Sequence, residues 1–118
     1  MHLLRVEEGG ALYDSDEAVD LGQPPGDIVI LTSADTEVSL LSAAVAGWQA
    51  EGDVPEVRIA NYLSLSHPFS VDQYIASTIA GARLVIVRLL GGSAYWTYGV
   101  QQLRAQEEAV GVPVAFRP

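Results

Sequence analysis

The stretch Leu84-Val-Ile-Val-Arg-Leu-Leu-Gly-Gly-Ser-Ala-Tyr-Trp-Thr-Tyr-Gly99 decides the fold. Leu84 to Val87, with Leu89 and Leu90 after a single arginine, make a nearly unbroken apolar run. Runs of this kind mark strands buried on both faces, as in a parallel sheet covered by helices. This one is expected to be the central strand. It stops at Gly91-Gly92, where the backbone gains left-handed conformations and carries no side chain to hold a ligand away. Tyr95, Trp96 and Tyr98 follow, where a plain strand-to-helix connection carries small polar residues. Two readings of these rings stand. They cap the core, the commoner use of aromatics, or they form a recognition surface at the carboxyl end of a parallel strand, where such folds place their sites.

Working outward, Asp27 opens a second uniformly apolar run, Ile28-Val-Ile-Leu31, β-branched and so a second buried strand. After it, Ser33 or Asp35 is expected to cap a helix. Val38, Leu41, Val45 and Trp48 recur three and four residues apart, the stripe of a helix lying on a sheet, and Gly52 ends it. Pro55 precedes a shorter strand starting at Val57 and Ile59, placed nearer an edge. Ser64 to Phe69 reads as a loop leading into a capping box, Ser70 with Gln73. Val71, Tyr74, Ile75, Thr78 and Ile79 then repeat at helical spacing up to Gly81. A third helix follows the aromatic loop, with Val100, Leu103 and Val110 inward and Arg104, Gln106, Glu107 and Glu108 outward, closed by Gly111. Val112-Pro-Val-Ala-Phe116 is a last strand whose proline places it at an edge or restricts its pairing on one side.

The elements predict an α/β fold: three layers around a four-stranded, mainly parallel sheet in the order 2-1-3-4, flavodoxin- or Rossmann-like, with right-handed crossovers. The two most apolar strands, first and third, are expected side by side in the middle. The domain is assigned to residues 27–118. Residues 1–26 form an acidic, irregular lead-in, broken by Gly22-Gln-Pro-Pro-Gly26 and consistent with an edge hairpin around Gly9-Gly10.

The chain has 118 residues, 49% of them hydrophobic, enough to close one core without staples. Without cysteine, disulfides and thiolate chemistry are excluded. The start carries no signal-peptide block, and no apolar run approaches the roughly 20 residues that cross a bilayer. A cytoplasmic domain is expected. Six arginines and no lysine against fifteen acids give −9, which argues against nucleic acid or an anionic membrane as partner. Nine of the acids (Glu7, Glu8, Asp14, Asp16, Glu17, Asp20, Asp27, Asp35, Glu37) fall within the first 37 residues, so the field belongs to the amino-terminal third. Such a cluster is a solvated face or a docking surface for a basic partner.

The strand order creates a switch point between the two central strands, and Thr32 to Thr36 and Gly91 to Tyr98 are the loops that meet there. Ser33, Asp35, Thr36, Gly91, Gly92 and Ser93 are expected to face one crevice, with Tyr95, Trp96 and Tyr98 beside them. Most known chemistries fail against these loops. The first loop has no glycine and so is not the turn that cradles a dinucleotide pyrophosphate. A Walker loop is excluded by the absence of lysine. A receiver domain would want an aspartate after the third strand, where Leu90 stands. His2 and His67 are too few for a histidine-rich metal cluster; His67, before Pro68, reads first as a loop or cap residue and second as a metal ligand or a catalytic base. No catalytic residue emerges, and the domain itself is expected to bind no cofactor.

Three segments resemble a known family: Asp20-Leu-Gly-Gln-Pro-Pro-Gly-Asp-Ile-Val-Ile-Leu, Ala60-Asn-Tyr-Leu-Ser-Leu-Ser-His-Pro-Phe-Ser-Val-Asp-Gln-Tyr, and Val87-Arg-Leu-Leu-Gly-Gly-Ser-Ala-Tyr-Trp-Thr-Tyr-Gly-Val. They are similar to the amino-terminal region of the large subunits of aerobic cobaltochelatases, relatives of the large porphyrin-binding subunit of magnesium chelatase. The third segment is the most specific. The resemblance implies ATP-dependent insertion of cobalt(II) into hydrogenobyrinic acid a,c-diamide during cobalamin synthesis. It implies that AAA+ subunits hydrolyse the ATP while the large subunit holds the tetrapyrrole and metal. It also implies that this chain is one domain of a much longer subunit, with the rest of that subunit as its first partner and no activity alone. On that basis the glycines and rings of 91–98 would contribute a tetrapyrrole-facing or interdomain surface, with Ser33, Thr36 and Ser93 as hydroxyl donors. The alternative from another class is a non-enzymatic flavodoxin-like assembly module that docks a basic partner through its acidic third, a contact that salt would weaken.

Overall fold

The structure is a computed structural model that describes residues 18–118, apart from the side chains of residues 93 and 94. Four strands form one sheet: β1 (Ile28–Thr32), β2 (Val57–Asn61), β3 (Leu84–Arg88) and β4 (Val114–Arg117). Their order is β2-β1-β3-β4, and every pair is parallel, as expected. Ile28 to Thr32 lie opposite Leu84 to Arg88 without a slip. A chain that returns to the same edge of a parallel sheet needs a crossover, and three helices supply them: α1 (Asp35–Gln49), α2 (Pro68–Tyr74) and α3 (Thr97–Val110).

The two sheet faces differ. Val29, Leu31, Val85 and Val87 alternate onto one face and are fully buried under Val71, Tyr74 and Ile79 of the α2 segment and Val100 and Leu103 of α3. Each such side chain contributes about 1.5–3 kcal/mol by leaving water. Ile28, Ile30, Leu84 and Ile86 point to the other face and are only partly buried. Among the described residues that face carries α1 alone, and α1 has no buried residue. The expected stripe of Val38, Leu41 and Val45 is half-buried, and Trp48 is exposed. Val110 is likewise corrected from core to surface: it is the last residue of α3, next to the left-handed Gly111 that closes the helix, and is exposed.

Helix starts also differ from expectation. Ala34, not Ser33 or Asp35, is the N-cap of α1 and brings no side-chain cap. Asp35 and Glu37 sit in the first turn instead, where negative charge complements the helix dipole. The α2 helix starts two residues before the Ser70 capping box. Pro68 takes the first helical position, where its missing N–H costs nothing. His67 becomes the N-cap, its Nδ1 accepting from the Phe69 N–H at 3.0 Å. Past Tyr74 the helix widens into a π turn, Ile75–Ile79, in which the Ala80 N–H donates to the Ile75 carbonyl at 2.8 Å. The turn leaves Thr78 and Ile79, neighbours in sequence, both buried. β4 begins at Val114 rather than Val112, since Pro113 can donate nothing and contributes only its carbonyl, to Val85 N–H at 2.9 Å.

Residues 18–26 hold no regular element but are strapped to the domain. Gln23 donates to the Ile59 carbonyl at 3.0 Å and accepts from Tyr74 Oη at 2.6 Å, and its own carbonyl accepts from buried Thr78 Oγ1 at 2.7 Å. Arg58 donates to the carbonyls of Pro24 and Pro25 at 2.9 and 3.0 Å. The hairpin considered around Gly9-Gly10 lies outside the described residues. No helix among the described residues is long and apolar enough to cross a membrane.

Candidate functional site

Thr32 and Arg88 are register partners at the carboxyl ends of β1 and β3, so the two loops of the switch point leave the sheet side by side. A bridge that the sequence reading missed joins them. Glu37, in the first turn of α1, accepts from Thr32 Oγ1 at 2.6 Å and from Arg88 Nη2 at 2.8 Å. These bonds, Thr32's first and then Arg88's, hold the Glu37 carboxyl below its ordinary pKa. The signal was present: one arginine interrupts an otherwise apolar strand, and its partner is an acid in the first turn of a helix. A second missed residue, Asn61 at the end of β2, donates through Nδ2 to Asp35 Oδ1 at 2.7 Å and to the Ser33 carbonyl at 3.3 Å. Its Oδ1 accepts from the Leu63 N–H at 2.9 Å.

A depressed carboxylate pKa stabilises the fold where the carboxylate is ionised in the unfolded chain too, and that contribution disappears as pH falls through the folded-state value. Glu37→Gln is therefore expected to lower the urea midpoint at neutral pH. The difference from wild type should shrink steadily once the pH drops below the ordinary glutamate value of 4.5. A gap independent of pH would show that the charge of Glu37 does not hold the bridge.

The aromatic segment divides. Gly91 and Gly92 turn the chain with φ of +97° and +94°, and the Tyr95 ring folds back over Gly91, so that a Cβ there would stand 2.8 Å from Tyr95 Cε2. Tyr95 is 69% exposed. Trp96 turns the opposite way, 6% exposed, stacked on Tyr62 with ring centroids 4.8 Å apart, its indole N–H donating to the Leu65 carbonyl at 3.0 Å. Tyr98 is half-buried and donates to the Asp72 carboxylate at 2.9 Å, which together with partial burial raises the phenol's pKa. Ser93 opens the 3-10 turn Ser93–Trp96. Thr36 is exposed in the first turn of α1.

Tyr95, Trp96 and Tyr98 line a cleft of about 160 Å³ with Tyr62, Leu63, Leu65, Ser66 and Thr97, and Ser33, Asp35 and Thr36 are not among its walls. That volume is below the roughly 300 Å³ at which sites for drug-sized ligands begin. Inside the cleft wall, the buried hydroxyl of Tyr62 has no partner among the described residues. His67 has committed Nδ1 to its capping bond. No group of three or more His, Asp or Glu side chains that would hold a metal occurs among the described residues. At the carboxyl edge Tyr95 is the projecting ring, beside this cleft.

Over all 118 residues the chain is 46% identical to the aerobic cobaltochelatase subunit CobN of Sinorhizobium sp. Over 116 residues it is 40% identical to the aerobic cobaltochelatase subunit CobN of Pseudomonas aeruginosa PAO1. It spans 9% of the length of each of these relatives. No family model matches the chain, and no solved structure matches it.

Proposed function

Because this chain is similar over its whole length to one short part, the amino-terminal region, of aerobic cobaltochelatase large subunits, we propose that it serves as a domain of such a subunit. In this reading it takes part in the ATP-dependent insertion of cobalt(II), the substrate metal, into hydrogenobyrinic acid a,c-diamide during cobalamin synthesis. ATP is hydrolysed by separate AAA+ subunits and the metal is transferred in parts of the large subunit beyond this domain. The domain's own role is to hold a rigid wall against the tetrapyrrole or the neighbouring domain.

The observation that carries this role is the split of the aromatic segment. Trp96 is spent on the core, its N–H bonded and its ring stacked on Tyr62, while Tyr95 stands on the surface over a glycine turn. An exposed ring backed by a tight turn is held in place by its own backbone. It offers a flat face to a flat ligand at little entropic cost. The engaged carboxylates of Asp35 and Glu37 support a structural role for the first loop.

Tyr95→Ala tests the ligand-facing version without threatening the fold, since the ring is mostly in solvent. In the full-length subunit it is expected to weaken binding of the diamide substrate about three- to tenfold, the range of one lost ring contact. Unchanged affinity in a subunit of normal melting temperature would remove the tetrapyrrole contact and leave the wall facing another domain.

A further inference from the structure

A four-stranded parallel sheet with three crossover helices leaves one helix position vacant. Here the α2 segment and α3 fill one face, and among the described residues α1 is the one helix on the other, against β2 and β1. Among the described residues the sheet is open beside α1: a groove of about 360 Å³ is walled by Ile30 and Ile86 of the sheet and Leu40 and Leu41 of the helix, with Glu37 and Arg88 at its carboxyl end. Leu40 is 71% exposed on this flank. The register places Ala115 and Arg117 on the same face as Ile86 and Arg88. From residue 38 to residue 50 the helix and its end carry no charged side chain, which is unusual on a helix with no buried residue. A solvated helix is normally polar on its outer face.

Charge narrows the occupant. The chain carries −9, yet two of its six arginines, Arg88 and Arg117, stand together at the carboxyl end of this groove. Arg88 is paired with Glu37, whereas the Arg117 side chain is exposed and makes no ion pair among the described residues. A second copy would bring another −9 against the first. The relatives, by contrast, are about eleven times as long as this stretch, which covers 9% of them. We propose that the open face beside α1 seats a helix from another part of the longer subunit. Its apolar side lies on Ile30, Leu40, Leu41 and Ile86, and an acidic residue at its end meets Arg117. The inference rests on the reading that this chain is one domain of such a subunit.

The chain contains no cysteine, so a thiol placed at Leu40 reports on this surface. Maleimide labelling of Leu40→Cys, followed on its own peptide and normalised to the urea-unfolded rate, is compared in the 118-residue chain and in the full-length subunit. Labelling is expected to be fast in the short chain and at least about tenfold slower in the subunit, the ratio for an equilibrium that favours the seated helix ten to one. Adding Arg117→Glu should restore most of the rate in the subunit. Equal rates in the two folded proteins would overturn the docking. Slowing that Arg117→Glu leaves untouched would overturn the acidic occupant. Protection in the short chain together with a dimer in sedimentation would assign the face to a second copy instead. The native protein running at the mass of 118 residues would overturn the domain reading, and this inference with it, which the labelling rates alone would not do.

Discussion

Replacing Gly99 by alanine is expected to cost about 3 kcal/mol or more, a large part of the stability of a domain this size. A methyl group built on Gly99 falls inside the indole of Trp96, overlapping Cε2, Cδ2 and Cζ2. The ring cannot step aside: Tyr62 is stacked on it and the Leu65 carbonyl holds its N–H. Relief therefore has to come from the backbone of α3 at its first turn. In host peptides the same substitution stabilises a helix by about 1 kcal/mol, so the sign of the result discriminates between packing and propensity. Gly47, in α1 with nothing within 4 Å of an added Cβ, supplies the contrast, and Gly47→Ala is expected to raise stability by about 0.5–1 kcal/mol. Urea midpoints for the two variants measure both effects. A Gly99→Ala protein as stable as wild type would show that the indole does not rest against the helix.

Trp96→Ala is expected to be costlier still, about 4 kcal/mol, as for other large aromatics removed from a core. Three losses add: the buried area of the ring, the stack on Tyr62, and the partner of the Leu65 carbonyl. The Tyr62 hydroxyl, already without a partner among the described residues, would then face a cavity. Trp96→Phe should recover about half of the loss, since it restores a ring but not the N–H. Thermal melting followed by far-ultraviolet circular dichroism reads the series, and a Trp96→Ala melting temperature within a few degrees of wild type would contradict the buried geometry. Loss of substrate binding in this variant would report unfolding rather than a lost contact, which is why Tyr95 carries the binding test.

Much of the fold was legible because parallel sheets leave a plain mark. Ile28 to Leu31 and Leu84 to Val87 are apolar without alternation, and only central strands of a covered sheet tolerate that. The two strands do lie side by side and parallel. Their apolar content was a weaker guide to coverage: Ile30 and Ile86 face a groove, not a second helix. A sequence shows which residues avoid water, not whether the cover belongs to the same piece of chain. Helix starts were less legible. The Ser70 and Gln73 pair has the spacing of a capping box, but proline at position 68 starts the helix earlier, and buried Ser70 accepts from the Val19 N–H at 2.6 Å instead. Asn61 and Glu37 escaped notice because each acts between neighbouring strands on a residue far away in sequence, Asn61 from the end of β2 on Asp35 and Glu37 across the switch point on Arg88.

By itself the sequence determined the sheet: its strand order, its parallel sense and the places where the chain turns. Those follow from hydrophobic period and from glycine and proline, which act on the local backbone. What only the tertiary structure decided was the direction of each aromatic ring in Tyr95, Trp96 and Tyr98. Adjacent rings in one short turn differ in burial according to what stands opposite them. Trp96 meets Tyr62 and the bare backbone of Gly99, and so turns inward. Tyr95 folds back over the bare backbone of Gly91 and remains mostly in water.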